Sequence, residues 1–215
     1  MPFRIEEKIL VQENNNIYLK EFLSLKSAKV LFEPRCVQSL YFDNSTLDMF
    51  KDSEEGILPR KKIRIRFYPN QNSGFNLETK ISSVEGRFKS SKKIDKNKFN
   101  YLIKYGIFDT RYGACKPKIY VRYFRKYLLI KDTRLTYDND IQYINFFGKL
   151  IGKEVNSILE IKTPISEDID ELLSNFPFQR SRFSKYCNGI NMMISKWLVK
   201  GGLYFFYNRF EYFWV

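Results

Sequence analysis

Arg60-Lys61-Lys62-Ile63-Arg64-Ile65-Arg66-Phe67 is the stretch that decides the fold. Side chains of a strand point alternately to its two faces. Arg60, Lys62, Arg64 and Arg66 therefore share one face, and Ile63, Ile65 and Phe67 the other. Taken alone, such a strand turns its basic side to water. The pattern recurs, however. Arg4, Glu6 and Lys8 alternate near the start, Glu78 and Lys80 flank Thr79, and Glu160 and Lys162 flank Ile161. Arg122 follows Val121, and Arg134, Thr136 and Asp138 alternate around Leu135 and Tyr137.

A solvent face mixes Ser, Thr, Asn and Gln with its charges. Here the alternate positions are nearly all Arg, Lys or Glu. A closed antiparallel barrel with charged faces inward and helices packed outside accounts for this better. Such an interior has to be wet and filled with anions, because each unpaired buried charge costs several kcal/mol against a net stability of about 5–15 kcal/mol. A chain of phosphates is the matching ligand, with Arg offering bidentate forks and Lys point charges.

The rest of the chain fits an α+β domain. Strand patterns cover 4–11, 39–43, 61–68, 75–81, 118–129, 134–138 and 155–162. Helical patterns cover 17–28, 95–105 (Asp95 as N-cap, Gly106 after its end), 166–176 and 182–199. Asn70 to Gly74 reads as a hairpin turn. Gly148–Lys153 lacks the glycine spacing of a phosphate loop and has Glu154 where Ser or Thr should stand. Residues 1–200 form one domain, and 201–215 a tail with eight aromatic residues in 15 positions.

Composition narrows the function. The net charge of +13 over 215 residues demands a polyanionic partner. Histidine is absent, which excludes His-mediated acid–base catalysis and His-ligated metals. Cys36, Cys115 and Cys187 form no CxxC pair and no disulfide framework, so a reducing compartment is expected. With no secretory leader and no apolar run of membrane-spanning length, the expected location is cytoplasmic.

Taken in order, Arg4-x-Glu6-x-Lys8, Tyr41-Phe42-Asp43, Lys62-x-Arg64-x-Arg66, Glu78-x-Lys80, Tyr120-x-Arg122, Arg134-x-Thr136-x-Asp138, Glu160-x-Lys162 and Ser184-Lys185-Tyr186 resemble a triphosphate tunnel metalloenzyme of the CYTH-like superfamily. They are most similar to its VTC branch, the polyphosphate polymerase domain, over about residues 3 to 195. Arg4 stands where adenylate-cyclase-like members carry Glu. The resemblance implies a closed eight-stranded barrel forming a tunnel, with the C-terminal helix at its mouth. It implies that Arg64, Arg66, Lys80, Arg122, Arg134 and Lys185 act on the transferred phosphate. Lys8, Lys62, Lys93, Tyr120, Lys162 and Ser184 would line the phosphate path, with Lys89 and Lys92 competing for the place of Lys93. Glu160 would hold Mg²⁺ or Mn²⁺, with Glu6 and Glu78 as further candidates.

The implied reaction moves the γ-phosphate of ATP or another nucleoside triphosphate onto polyphosphate. A triphosphatase of the same fold, or a non-catalytic binder of polyphosphate or nucleic acid, remains open, nucleic acid being the less favoured partner. Work alongside a membrane-protein partner is also left open by the sequence.

Overall fold

The computed structural model describes residues 4–71, 74–164, 169–173, 178 and 180–199. In chain order its strands are β1 (Arg4–Val11), β2 (Lys29–Asp43), β3 (Arg60–Phe67), β4 (Phe75–Ser83), β5 (Gly86–Ile94), β6 (Ile107–Asp109), β7 (Gly113–Ile130), β8 (Thr133–Asn145), β9 (Leu150–Lys153) and β10 (Ser157–Pro164). The helices are α1 (Asn16–Leu25), α2 (Asp48–Glu55), α3 (Lys96–Tyr105), α4 (Ile169–Leu173) and α5 (Lys185–Val199).

The strands form one ten-stranded sheet with the order β1-β10-β8-β7-β2-β3-β4-β5; β6 pairs β7 and β9 pairs β8 beside that path. The expected closed, eight-stranded barrel is therefore corrected in both respects. Alternation specifies which face a side chain takes, and it carries no information on whether the two end strands meet. The aromatic tail and most of the expected 166–176 helix lie outside the described residues, as do two residues of the 70–74 turn; α4 is the described part of that helix.

The chain divides into two compact units. The first comprises Met1–Val37, Tyr123–Ile141 and Lys153–Phe183; the second comprises Gln38–Arg122, Gln142–Gly152 and the chain from Ser184 onward. In the first unit β1 pairs antiparallel with β10, and β10 with β8, in a register that sets Ile9 against Leu159 and Ile161 against Leu135. These residues join Leu19 and Phe22 of α1 in one apolar cluster. The outer edge of β1 is covered by its own chain, through an Ile9–Arg180 bridge and a hydrogen bond from Ser181 N to Lys8 O at 2.8 Å.

In the second unit β2, β3, β4 and β5 follow one another antiparallel. Leu40, Phe42, Ile63 and Ile65 form their buried face with Leu102 of α3. The Asp95 carboxylate caps α3, accepting from Lys98 N at 2.7 Å, and Gly106 ends it at φ 83°. Both follow the sequence expectation. At the end of β2 the buried Asp43 accepts from the backbone N–H groups of Asn44, Met49 and Phe50 and from Tyr186 Oη at 2.6 Å. One carboxylate thereby fixes the start of α2 and the first turn of α5. Burial pushes its pKa up against those hydrogen bonds. α5 passes through Gly189 because a Cβ there would lie 2.7 Å from Tyr143 Cδ1 and 2.8 Å from Ile119 Cδ1.

Candidate phosphate-binding faces

Residues directly opposite in an antiparallel pair lie on the same face. The register of the second unit therefore builds a charged array row by row. Arg60, Ser82 and Arg87 form one row; Lys62, Lys80 and Lys89 the next. Tyr41, Arg64, Glu78 and Ser91 form the third, and Ser39, Arg66, Asn76 and Lys93 the fourth. Lys89 and Lys93 both belong to this face, whereas Lys92 stands opposite Leu77 on the other side.

Glu78 is the hub of the array. It accepts from Arg64 Nε at 2.8 Å and from Lys89 Nζ at 2.7 Å, and Arg66 Nη1 lies 3.7 Å away. Burial alone would raise its pKa; Arg64, Arg66 and Lys89 outweigh burial and lower it to about 2. Glu78 is thereby engaged by three cations within its own face.

Arg64 Nη1 donates to Tyr41 Oη at 2.9 Å, so its guanidinium is gripped from both neighbouring strands. Tyr41 in turn stacks on Tyr186 of α5, with centroids 5.1 Å apart. Burial would push the Tyr41 phenol up, yet Arg64, Arg66 and Lys185 hold it below its ordinary value. At the start of α5, Ser184 Oγ accepts from Lys62 Nζ at 2.8 Å. Burial lowers the pKa of Lys62. Burial likewise raises that of the Cys187 thiol, as expected for an inert cysteine.

Arg122 and Tyr120 do not join this array. Arg122 is exposed and its Nε donates to Gln38 Oε1 at 3.1 Å. Gln38 stands opposite Phe67, on the apolar face of the sheet. Tyr120 stacks on Phe146 and packs against the same apolar cluster. The physical reason is strand parity: Ile119, Val121 and Tyr123 are the buried series of β7, so Tyr120 and Arg122 turn the other way.

The first unit carries a second charged face. Glu6, Lys162 and Arg134 form one row, and Lys8, Glu160 and Thr136 the next. Lys162 Nζ lies 2.7 Å from Glu160 Oε1 and 3.8 Å from Glu6 Oε2. Lys8 Nζ donates to Phe183 O at 2.7 Å. Arg125, which the sequence reading missed, makes a bidentate pair with the fully buried Asp138 at 2.6 and 2.7 Å and lies 3.9 Å from Glu160. The signal was present: Tyr123-x-Arg125 repeats the Tyr-x-Arg pattern one residue series over, in phase with Val121. Arg134 Nε and Thr136 Oγ1 are buried and have no hydrogen-bond partner among the described residues.

No group of three His, Cys, Asp or Glu able to hold a metal occurs among the described residues. Glu160 and Glu6, gathered around one ammonium, nevertheless fit Mg²⁺ or Mn²⁺. Such ions take one or two carboxylates and complete their shell with water and phosphate oxygens. No helix is long and apolar enough to cross a membrane among the described residues.

A search of curated proteins finds no match. Solved structures similar to the chain include a Hippeastrum protein described as an adenylyl cyclase with a dominant triphosphatase activity, at 18% identity and TM-score 0.58, covering 88% of this chain and 96% of that one. A Pyrococcus horikoshii protein matches at 13% identity and TM-score 0.53, covering 82% and 94%. An adenylate-cyclase-like protein from Vibrio parahaemolyticus matches at 13% identity and TM-score 0.52, covering 88% and 98%. These likenesses concern the fold. The family model for the VTC domain matches residues 3–194. The chain belongs to the VTC domain family.

Proposed function

We propose that the chain is a metal-dependent phosphotransferase that moves the γ-phosphate of a nucleoside triphosphate, ATP first, onto inorganic polyphosphate. The observation that carries this is the face of the second unit, where Arg64, Arg66, Lys62, Lys80, Lys89 and Lys93 surround the single carboxylate of Glu78. An array with that excess of cations calls for a ligand with several negative charges close together. Arg64, oriented by Tyr41 and Glu78, presents a fixed fork to phosphate oxygens. Lys62 and Ser184 bring the start of α5 to the same face, where Lys185 adds a further cation.

On the first unit, Lys162 and Arg134 would neutralise phosphoryl charge, and Glu160 with Glu6 would hold the divalent cation. When bound, that ion withdraws charge from phosphate oxygens. Phosphoryl transfer needs mainly positioning and charge neutralisation. The attacking terminal phosphate is already ionised at neutral pH, so the lack of histidine is no obstacle.

A triphosphatase is the second reading, favoured by the activity described for the structurally similar Hippeastrum protein. Purified protein incubated with ATP and Mn²⁺ separates the two. Long-chain polyphosphate supports the transferase, and orthophosphate without chain product supports the hydrolase. Neither product, with no thermal stabilisation by tripolyphosphate, removes both.

A further inference from the structure

Phe32 of β2 is 50% exposed. A lone ring at the surface carries no message, but this one has organised neighbours. The ring of Tyr127 on β7 stands nearly perpendicular to it, at 83°, with centroids 5.7 Å apart. Arg35 lies over both, its Cζ 5.8 Å from the Phe32 centroid and 5.0 Å from that of Tyr127. Two aromatic walls thus meet at a corner together with a planar cation, all three residues belonging to the first unit. Tyr127 follows Arg125 by two positions, so both side chains take the same face of β7. Arg125 Cζ lies 6.0 Å from the Tyr127 centroid, and Arg125 in turn bonds Asp138 and lies 3.9 Å from Glu160. A single guanidinium therefore separates the aromatic corner from the carboxylate assigned to the divalent cation.

We propose that Phe32, Tyr127 and Arg35 form the nucleobase subsite of the nucleoside triphosphate. The base stacks on the exposed part of the Phe32 ring, and the phosphates run from there along the charged face toward Glu160 and Lys162. Aromatic rings and guanidinium planes are the side-chain surfaces on which bases stack. Stacking uses the open face of a ring, so the solvent exposure of Phe32 is what the role requires. The three side chains include no carboxylate or amide to read a base edge. Every base has a π-face, so ATP and GTP should bind alike. A nucleotide fits better than a nucleic acid strand because the corner adjoins the carboxylates that suit a phosphate-bound cation. The inference rests on the phosphotransferase reading of the chain, and its test separates the two.

The experiment titrates ATP, GTP, tripolyphosphate and an oligothymidylate, each with Mg²⁺, into the wild-type chain and the Phe32→Ala, Phe32→Leu and Phe32→Trp variants. Phe32→Ala is expected to weaken ATP and GTP about tenfold, the loss of one stacked base, and to leave tripolyphosphate unchanged. Phe32→Leu keeps apolar bulk without a π-face and should behave as Phe32→Ala. Phe32→Trp should hold ATP as the wild type does. Wild-type ATP affinity in both Phe32→Ala and Phe32→Leu overturns the proposal. So does an equal loss of ATP and tripolyphosphate, which makes the ring a support of the phosphate face. An oligothymidylate that binds more tightly than ATP and is lost in Phe32→Ala assigns the corner to a nucleic acid strand and overturns it too. If the wild-type chain binds neither tripolyphosphate nor ATP, the phosphotransferase reading fails; if tripolyphosphate binds and Phe32→Ala is silent, only this inference falls.

Discussion

Arg64 stands directly across from Glu78 and donates to it through Nε at 2.8 Å. The pair ties adjacent strands on the cationic face of the second unit, so its loss should appear in both stability and ligand binding. Arg64→Ala is expected to lower tripolyphosphate affinity at least tenfold, the worth of a charged bidentate contact. Titration calorimetry checks this, and unchanged affinity would refute it.

Acid should weaken the fold through Glu78. Its carboxyl is held at about 2 in the folded protein against 4.5 for the free group. A depressed carboxylate stabilises above the unfolded value, and that stability is lost as pH falls toward the folded one. The contribution is about 3 kcal/mol, lost between about pH 5 and pH 2. Urea unfolding across that range measures it. In Glu78→Gln this component of the pH dependence should vanish.

The two arginines of β7 should behave oppositely. Arg122 is exposed and bonded to Gln38, so Arg122→Ala should alter stability by less than about 0.5 kcal/mol and leave tripolyphosphate binding intact. Arg125→Ala strands the fully buried Asp138 and should cost about 3–5 kcal/mol. Denaturant midpoints of the two variants decide between this assignment and the one suggested by Tyr120-x-Arg122.

Gly189 has no room for a side chain beside Tyr143 and Ile119. Although alanine is the better helix former, Gly189→Ala should destabilise by about 1–3 kcal/mol through overpacking. A raised melting temperature would contradict that packing.

The alternation of Arg60–Phe67 reports its structure faithfully, because β3 has an apolar cluster on one side and charges on the other. β5 escaped notice for the opposite reason. As the last strand of the sheet path it is exposed along nearly its whole length, so no apolar series marks it. α2 is short and buries only Met49 and Ser53, too few residues to announce a helical face. In β7 two consecutive Tyr-x-Arg patterns exist, Tyr120-x-Arg122 and Tyr123-x-Arg125, and motif spacing accepts either. Burial separates them, and burial is settled by the strand's neighbours. Charge clustering on each unit was legible because register follows alternation, whereas closure of the sheet was not.

Lys89, Arg64 and Arg66 already share an internal anion before any ligand arrives. Binding on this surface is thus an exchange of counterions, in which a phosphate competes with Glu78 for partners partly neutralised in advance. Fewer small ions are released than the number of basic residues suggests, so affinity should fall less steeply with added salt than on an open basic groove.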